Sequence, residues 1–366
     1  MSDSNIVYES RRLCVLCINS NLIPFITMYN FQVKCILEDN DNDNLDNWDM
    51  KLGYCELCGS VQQMNLINPD ILYKKYPLDN THSILWNTHH VMFTKFIIDN
   101  ISKNMPIIEI GSSSAILVDD LINDFEDYTI FDYSLETTRQ LPYLKYIEGN
   151  CENYLFPSSS VIVMSHVFEH LYNPKQFLAN CESSKVENIV ISIPNMNNEE
   201  LITISREHTF TYNSSDIENI FNIYGYYLNK MEIHGNNFSI FYHFNRIPTS
   251  ILISRLLNTE RYLITKKYFN NKYDVPPNSI LISAGFYSQV LYYNILNKKN
   301  IIGVIDNDPK KQGRIFCGTN LIVNKFSFIS NFTNDVSALV LKGHLWTEEI
   351  VNIIRNYNTN ITIIYL

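Results

Sequence analysis

The chain has 366 residues, 46% of them hydrophobic, which is enough for packed cores in two or three domains. Its formal net charge of -10 offers no basic field to a phosphate backbone, so nucleic acid is excluded as an expected partner. No run of about 18 apolar residues occurs, and the opening MSDSNIVYESRR has no apolar signal region, so no membrane association and a cytoplasmic location are expected.

Residues 1–72 carry four of the eight cysteines in two matched pairs, Cys14-Val-Leu-Cys17 and Cys55-Glu-Leu-Cys58. A two-residue gap lets both sulfurs of a pair turn toward one metal, and two pairs complete a tetrahedral thiolate cage. Four cysteines leave no open position, so the expected ion is a structural Zn²⁺. A module of about seventy residues has little core of its own, and a metal supplies the missing stability. The other cysteines (Cys35, Cys151, Cys181, Cys317) are scattered, which suits a reducing compartment better than a disulfide framework. Between the pairs, EDNDNDNLDNWD (38–49) is acidic and rich in Asn, and is predicted to be an exposed loop. It lacks the Lys, Arg and interleaved aromatics of a nucleic-acid-binding ribbon.

From 73 to 247 short apolar runs alternate with helical patterns. Strands are predicted over 106–110, 128–132, 161–165 and 188–194, with helices over 115–122 and through HVFEHLYNPKQFLANC from 166 onward. Continuous apolar strands separated by helices imply a parallel sheet covered on both faces. Pro248 and Pro276-Pro277 mark a change, and residues 248–366 restart the pattern with strands at 279–285 and 300–306. That tail is a second α/β unit.

The first strand of the central unit ends in Glu109, then Gly111 and Ser112 open the turn GSSSA. Gly111 permits a tight bend, and the following helix presents free N–H groups. Asp132, at the end of the next strand, can accept hydrogen bonds from both hydroxyls of an adenosine ribose, with Tyr133 beside it. Such a site could hold NAD or S-adenosylmethionine. A dinucleotide fingerprint wants three glycines around the pyrophosphate, and this loop has one, which suits a cofactor without phosphates. Asn150 or Cys151 is expected near the adenine, and His166, opening the helix after VIVMS, near the methionine end. The HxxEH pattern also allows a metal between His166 and His170, although no further ligands stand nearby in the sequence.

The order CxxC…CxxC, then Tyr76, Ser83 and Trp86, then EIGSSSA, SHVFEH, REH and an α/β tail resembles one family. It is similar to the S-adenosylmethionine-dependent methyltransferases that act on nucleotide-linked deoxysugars, best known as sugar C-methyltransferases. The resemblance covers nearly the whole chain. It implies a zinc-binding domain (1–72), a class I methyltransferase domain of Rossmann-like α/β fold (73–247) and a second Rossmann-like domain (248–366). It implies that Cys14, Cys17, Cys55 and Cys58 hold zinc, that Gly111 and Asp132 hold the cofactor, and that Glu207-His208 is an acid/base pair with Tyr76 in the active site. Asp306, Lys311, Gly313 and Gly318 match the family's terminal domain.

Three positions depart from the family pattern. The cofactor loop ends in Ala115 where glycine is common, Ser205 stands where tyrosine is usual, and Leu78 replaces a second tyrosine. The last two fall around the acceptor, so the methylated atom (carbon, nitrogen or oxygen) stays open. The expected chemistry has His208 take a proton from the acceptor, Glu207 orient it, and Tyr76 donate to an oxyanion. The expected protein is a monomer or small homo-oligomer with a nucleotide-linked sugar as substrate. Two other classes fit parts of the chain. One is an NAD-dependent oxidoreductase with two nucleotide-binding domains, and the other is a non-catalytic zinc protein that recruits partners.

Overall fold

A computed structural model describes residues 7–17, 21–32, 37–38, 47–75, 84–112, 115–125, 127–135, 139–196, 205–235, 238–247, 274–316, 318–332, 336–341 and 347–366. Tyr76, Leu78, Ser83, Cys35, Cys317 and the centre of the acidic stretch (39–46) lie outside them.

The N-terminal part is built from strands that bracket the cysteines. β1 (Val7–Ser10) pairs antiparallel with β6 (Asn65–Ile67), and β2 (Leu22–Gln32), β4 (Asn47–Cys55) and β5 (Val61–Gln63) form an antiparallel sheet. The exposed loop predicted over 38–49 is corrected at its described end. Residues 47–49 already belong to β4, where Trp48 is 2% exposed and pairs with Phe31 across the ladder. A single buried indole outweighs the polar neighbours that suggest a solvated segment.

The central unit follows. α1 (Ile84–Asn100) leads into a seven-stranded sheet of order β12-β13-β11-β10-β7-β8-β9. Its strands are β7 (Ile107–Ile110), β8 (Tyr128–Asp132), β9 (Lys145–Glu148), β10 (Val161–Ser165), β11 (Asn188–Pro194), β12 (Tyr226–His234) and β13 (Ser239–Arg246). The first five run parallel, and β13 inserts antiparallel between β11 and β12. This is an open, doubly wound α/β sheet with one antiparallel strand inserted next to its edge. Sequence pattern alone does not predict β9 or the β12–β13 hairpin, because β9 and β12 carry exposed faces and lack the apolar runs of the central strands.

One predicted helix is corrected. The chain after β10 does not run into a helix at His166. His166 takes a left-handed conformation (φ 55°), a single 3₁₀ turn covers Phe168–His170, and the helix proper begins at Pro174. Asn173 caps that helix (Pro174–Ser183) by accepting from Gln176 N–H, and Pro at its first position completes a strong start signal.

The C-terminal unit is a second parallel sheet, with β14 (Ser279–Ile282) and β15 (Ile301–Ile305) as expected, joined by β17 (Val323–Asn324), β18 (Ser337–Val340) and β19 (Thr362–Tyr365) in the order β17-β15-β14-β18-β19. It shares a core with the N-terminal sheet. Met28, Phe31, Trp48 and Met50 pack in one cluster with Leu281, Val290 and Val304. β3 (Leu37–Glu38) also pairs antiparallel with β16 (Ile315–Phe316). No helix among the described residues is long and apolar enough to cross a membrane.

Candidate active site

In an open α/β sheet, ligands bind beyond the carboxyl ends of the strands where the strand order reverses. Here that point lies between β7 and β10, and a cavity of about 430 Å³ opens there. This is within the range of small-molecule and cofactor sites. Glu109, Gly111, Ser112, Asp132, Tyr133, Asn150 and His166 all line it, as does Glu207.

Gly111 follows β7 with φ +72°. A Cβ at this position would stand 2.5 Å from Val167 Cγ2. The glycine is therefore required twice, by its backbone angle and by the loop after β10 that crosses close above it. Ala115, where the resembling family favours glycine, adopts φ 55° and ψ 43° and is fully buried. The left-handed turn is kept here without the residue that adopts it freely.

Glu109 is 2% exposed and accepts from Tyr128 Oη–H at 2.5 Å. Burial pushes its carboxyl up to about 7, against the lowering effect of that hydrogen bond. Asp132 sits at the end of β8, where Oδ1 accepts from Ser134 N–H at 3.4 Å. Asn150 caps the short turn Cys151–Asn153 by accepting from Glu152 N–H at 2.9 Å.

His166 is held by an aromatic nest. Its ring stacks on Phe238 at 5.4 Å and meets the edge of Trp86 at 4.8 Å, while Nε2 lies 2.9 Å from Ser239 Oγ. Burial, reinforced by neighbouring histidines, holds its pKa well below the ordinary value, so the ring is neutral. The adjacent His89 is likewise depressed, to about 3, by burial.

The Arg206-Glu207-His208 loop reaches the other side of the cavity. Glu207 Oε1 accepts from the buried Arg206 at 3.1 Å, and Oε2 lies 4.0 Å from His170 Nδ1. His208 stands behind this wall, with its ring 5.3 Å from that of His170. Burial lowers His170 to about 4 and raises the neighbouring Glu169 to about 8.

The N-terminal module holds this loop in place. Gln63 Nε2 donates to the carbonyls of Ser205 and His208, at 2.6 and 3.0 Å. Gln63 N–H donates to Thr209 O, and Thr211 N–H donates to Val61 O. The buried Arg11 guanidinium donates to Thr209 O at 2.6 Å and to Tyr172 O at 2.7 Å. Glu9, Pro69 and Tyr73 of the same module line the cavity directly.

The four cysteines are brought together as expected. Cys14, Cys17, Cys55 and Cys58 are buried, unpaired by disulfides, and have their sulfurs within 4.8 Å of one another. Cys14–Cys58 and Cys17–Cys55 sulfur separations are 3.7 and 3.5 Å. A tetrahedron with metal–sulfur bonds of about 2.3 Å has edges of about 3.8 Å, so the set fits zinc. Without a cation the neighbouring sulfurs, Cys14 foremost, push the Cys17 and Cys58 thiols upward, and a divalent ion relieves that crowding. Lys175, on the helix after β10, donates to the carbonyls of Cys14 and Cys17 and ties the cage to the central unit.

No protein-family model matches the chain, and no curated protein matches it. Among solved structures, the chain is similar to one from the complex of the Haloferax volcanii Trm112 methyltransferase activator with a methyltransferase. That match has 12% identity and a TM-score of 0.38, over 44% of this chain and 90% of the other. It is also similar to magnesium protoporphyrin IX methyltransferase from Synechocystis with bound S-adenosylhomocysteine. There the identity is 10% and the TM-score 0.37, over 48% of this chain and 93% of the other. Likenesses at this level assign no reaction.

Several cavity residues carry no sequence signal. Tyr73 and Tyr172 sit among 24 tyrosines, and Glu152 among 38 acidic residues. Arg206 is next to the predicted pair, and its 2% exposure is what distinguishes it from a surface arginine.

Proposed function

We propose that the chain is an S-adenosylmethionine-dependent methyltransferase that acts on a nucleotide-linked deoxysugar. Its parts would be a zinc-binding module (1–72), the methyltransferase unit (73–247) and a Rossmann-like tail (248–366). One observation carries this reading. Gly111 and Asp132 end adjacent parallel strands on a single cavity, and the far wall of that cavity is the Glu207 loop. The turn has one glycine and no phosphate cradle, which favours an adenosyl sulfonium over a dinucleotide. The sugar part of the reading rests on the order of motifs along the chain.

Bound there, S-adenosylmethionine supplies a methyl group that is already electrophilic. The chain's own residues then have three tasks. Asp132 accepts from the ribose hydroxyls and fixes the donor end. The neutral His166 and its aromatic nest exclude water from the cavity between donor and acceptor. Glu207, oriented by Arg206, faces the acceptor and takes its proton. The zinc module closes the acceptor side and keeps the 205–211 loop in register with the cavity.

The test is incubation of the chain with S-adenosylmethionine and a panel of nucleotide-linked keto- and amino-sugars, followed by mass spectrometry. Gain of one methyl group by a panel member supports the proposal. A chain that binds the cofactor but methylates none of them removes the sugar assignment.

A further inference from the structure

A second group of metal-binding side chains stands apart from the four cysteines. Glu169, His170 and His208 each bring one ligand atom within 4.8 Å of the other two. Glu169 and His170 come from the 3₁₀ turn after β10, and His208 comes from the loop held by the N-terminal module. The Glu169 side chain is fully buried, yet among the described residues neither of its carboxylate oxygens has a hydrogen-bond partner. His166 Nδ1 stands 3.6 Å from Oε1, beyond hydrogen-bond reach. A buried carboxyl left unsatisfied in either protonation state is costly, and few are kept without a reason. Glu207 Oε2, 4.0 Å from His170 Nδ1, offers a fourth donor.

We infer that Glu169, His170 and His208 form a site for a first-row divalent cation, with Glu207 as a further donor on the cavity side. Two imidazoles with carboxylate oxygens make a nitrogen and oxygen set that suits Mn²⁺ through Zn²⁺, whereas the thiolate cage is softer and selects zinc. Donors about 2.1 Å from a metal stand about 3 to 3.5 Å apart, so binding draws this group inward by roughly an ångström. His170 and Glu207 both line the cavity, so the open coordination positions face it. On the proposed methyltransferase reading, those positions hold oxygen atoms of the acceptor sugar beside the cofactor. The site itself does not depend on that reading. The HxxEH pattern thus contributes Glu169 and His170 rather than His166 and His170, and the missing ligand is the histidine of the REH motif.

Electron paramagnetic resonance of Mn²⁺ added to the zinc-loaded full chain tests the site, with calorimetry of S-adenosylmethionine run in parallel. The expected result is one tightly bound Mn²⁺ per chain, weakened by about tenfold or more in Glu169→Gln and in His208→Gln while the cofactor still binds. Should Glu169→Gln fail to fold, His208→Gln reads the same loss from a half-buried loop position. A chain that binds the cofactor but no Mn²⁺ overturns the inference, as does Mn²⁺ binding undiminished in the variants. Mn²⁺ bound as expected by a chain with no cofactor affinity supports the site and counts against the proposed function.

Discussion

Replacing Gly111 with alanine perturbs the turn on which the cavity is built. The residue has φ +72°, where a side chain costs roughly 1–2 kcal/mol. Its new Cβ would also lie 2.5 Å from Val167 Cγ2, far inside the ordinary contact distance of about 3.5–4 Å. Relieving that overlap moves the 165–168 segment and adds an overpacking cost of about 1–3 kcal/mol. Gly313 provides the control. It has φ +81°, and a methyl group added there would meet nothing within 4 Å, so alanine at that position brings backbone strain alone. Scanning calorimetry should show Gly111→Ala melting below Gly313→Ala by several degrees, at about 2–4 °C per kcal/mol for a domain of this size. The Gly111→Ala, Val167→Ala double mutant should recover the steric part, giving a coupling of about 1–3 kcal/mol. Equal melting of the two glycine variants, with no coupling to Val167, would refute the reasoning.

Three further outcomes are expected. Metal analysis should find zinc on the four cysteines, and stripping it or making Cys55→Ser should lower the melting temperature by more than about 5 °C and reduce turnover with it, because the module holds residues 205–211. Full stability and activity in a metal-free chain would contradict this. Glu207→Gln should lower turnover by roughly 10²–10⁴ with little change in cofactor affinity, and an unchanged rate removes it from proton transfer. Glu109 keeps its proton in the folded chain up to about pH 7 but loses it near 4.5 when unfolded, so the native state binds more protons between those values. Glu109's own share of the stability should therefore fall by about 3 kcal/mol between pH 4.5 and 7, read as the difference between the pH-resolved denaturation curves of the native chain and of Glu109→Gln, and a difference that does not change with pH refutes it.

The buried parallel strands are legible because burial on both faces writes itself as apolar runs. Strands 107–110, 128–132, 161–165 and 188–194 all come from that signal. The hairpin β12–β13 escapes it, since β12 is half exposed and reads as polar. The turn at His166 reads as helix because HVFEH has helical spacing, whereas the Asn173-Pro174 start signal marks where the helix begins. Gly111 and Asp132 can be placed on one crevice from spacing alone, because parallel strands put their carboxyl ends together. The grouping of Glu169 and His170 with His208 cannot, since it depends on how Gln63 and Arg11 fold the loop back across the sheet. The shared core of Met28, Trp48 and Leu281 joins the two ends of the chain and leaves no local trace in either.

The crevice beside Gly111 and Asp132 is proposed to accept an adenosyl sulfonium. Isothermal titration of the full chain with S-adenosylmethionine, S-adenosylhomocysteine and NAD tests it directly. Single-site binding of the first two is expected, weakened by about tenfold or more in Asp132→Ala, and none of NAD. Binding of NAD with no heat from either adenosyl compound would contradict it.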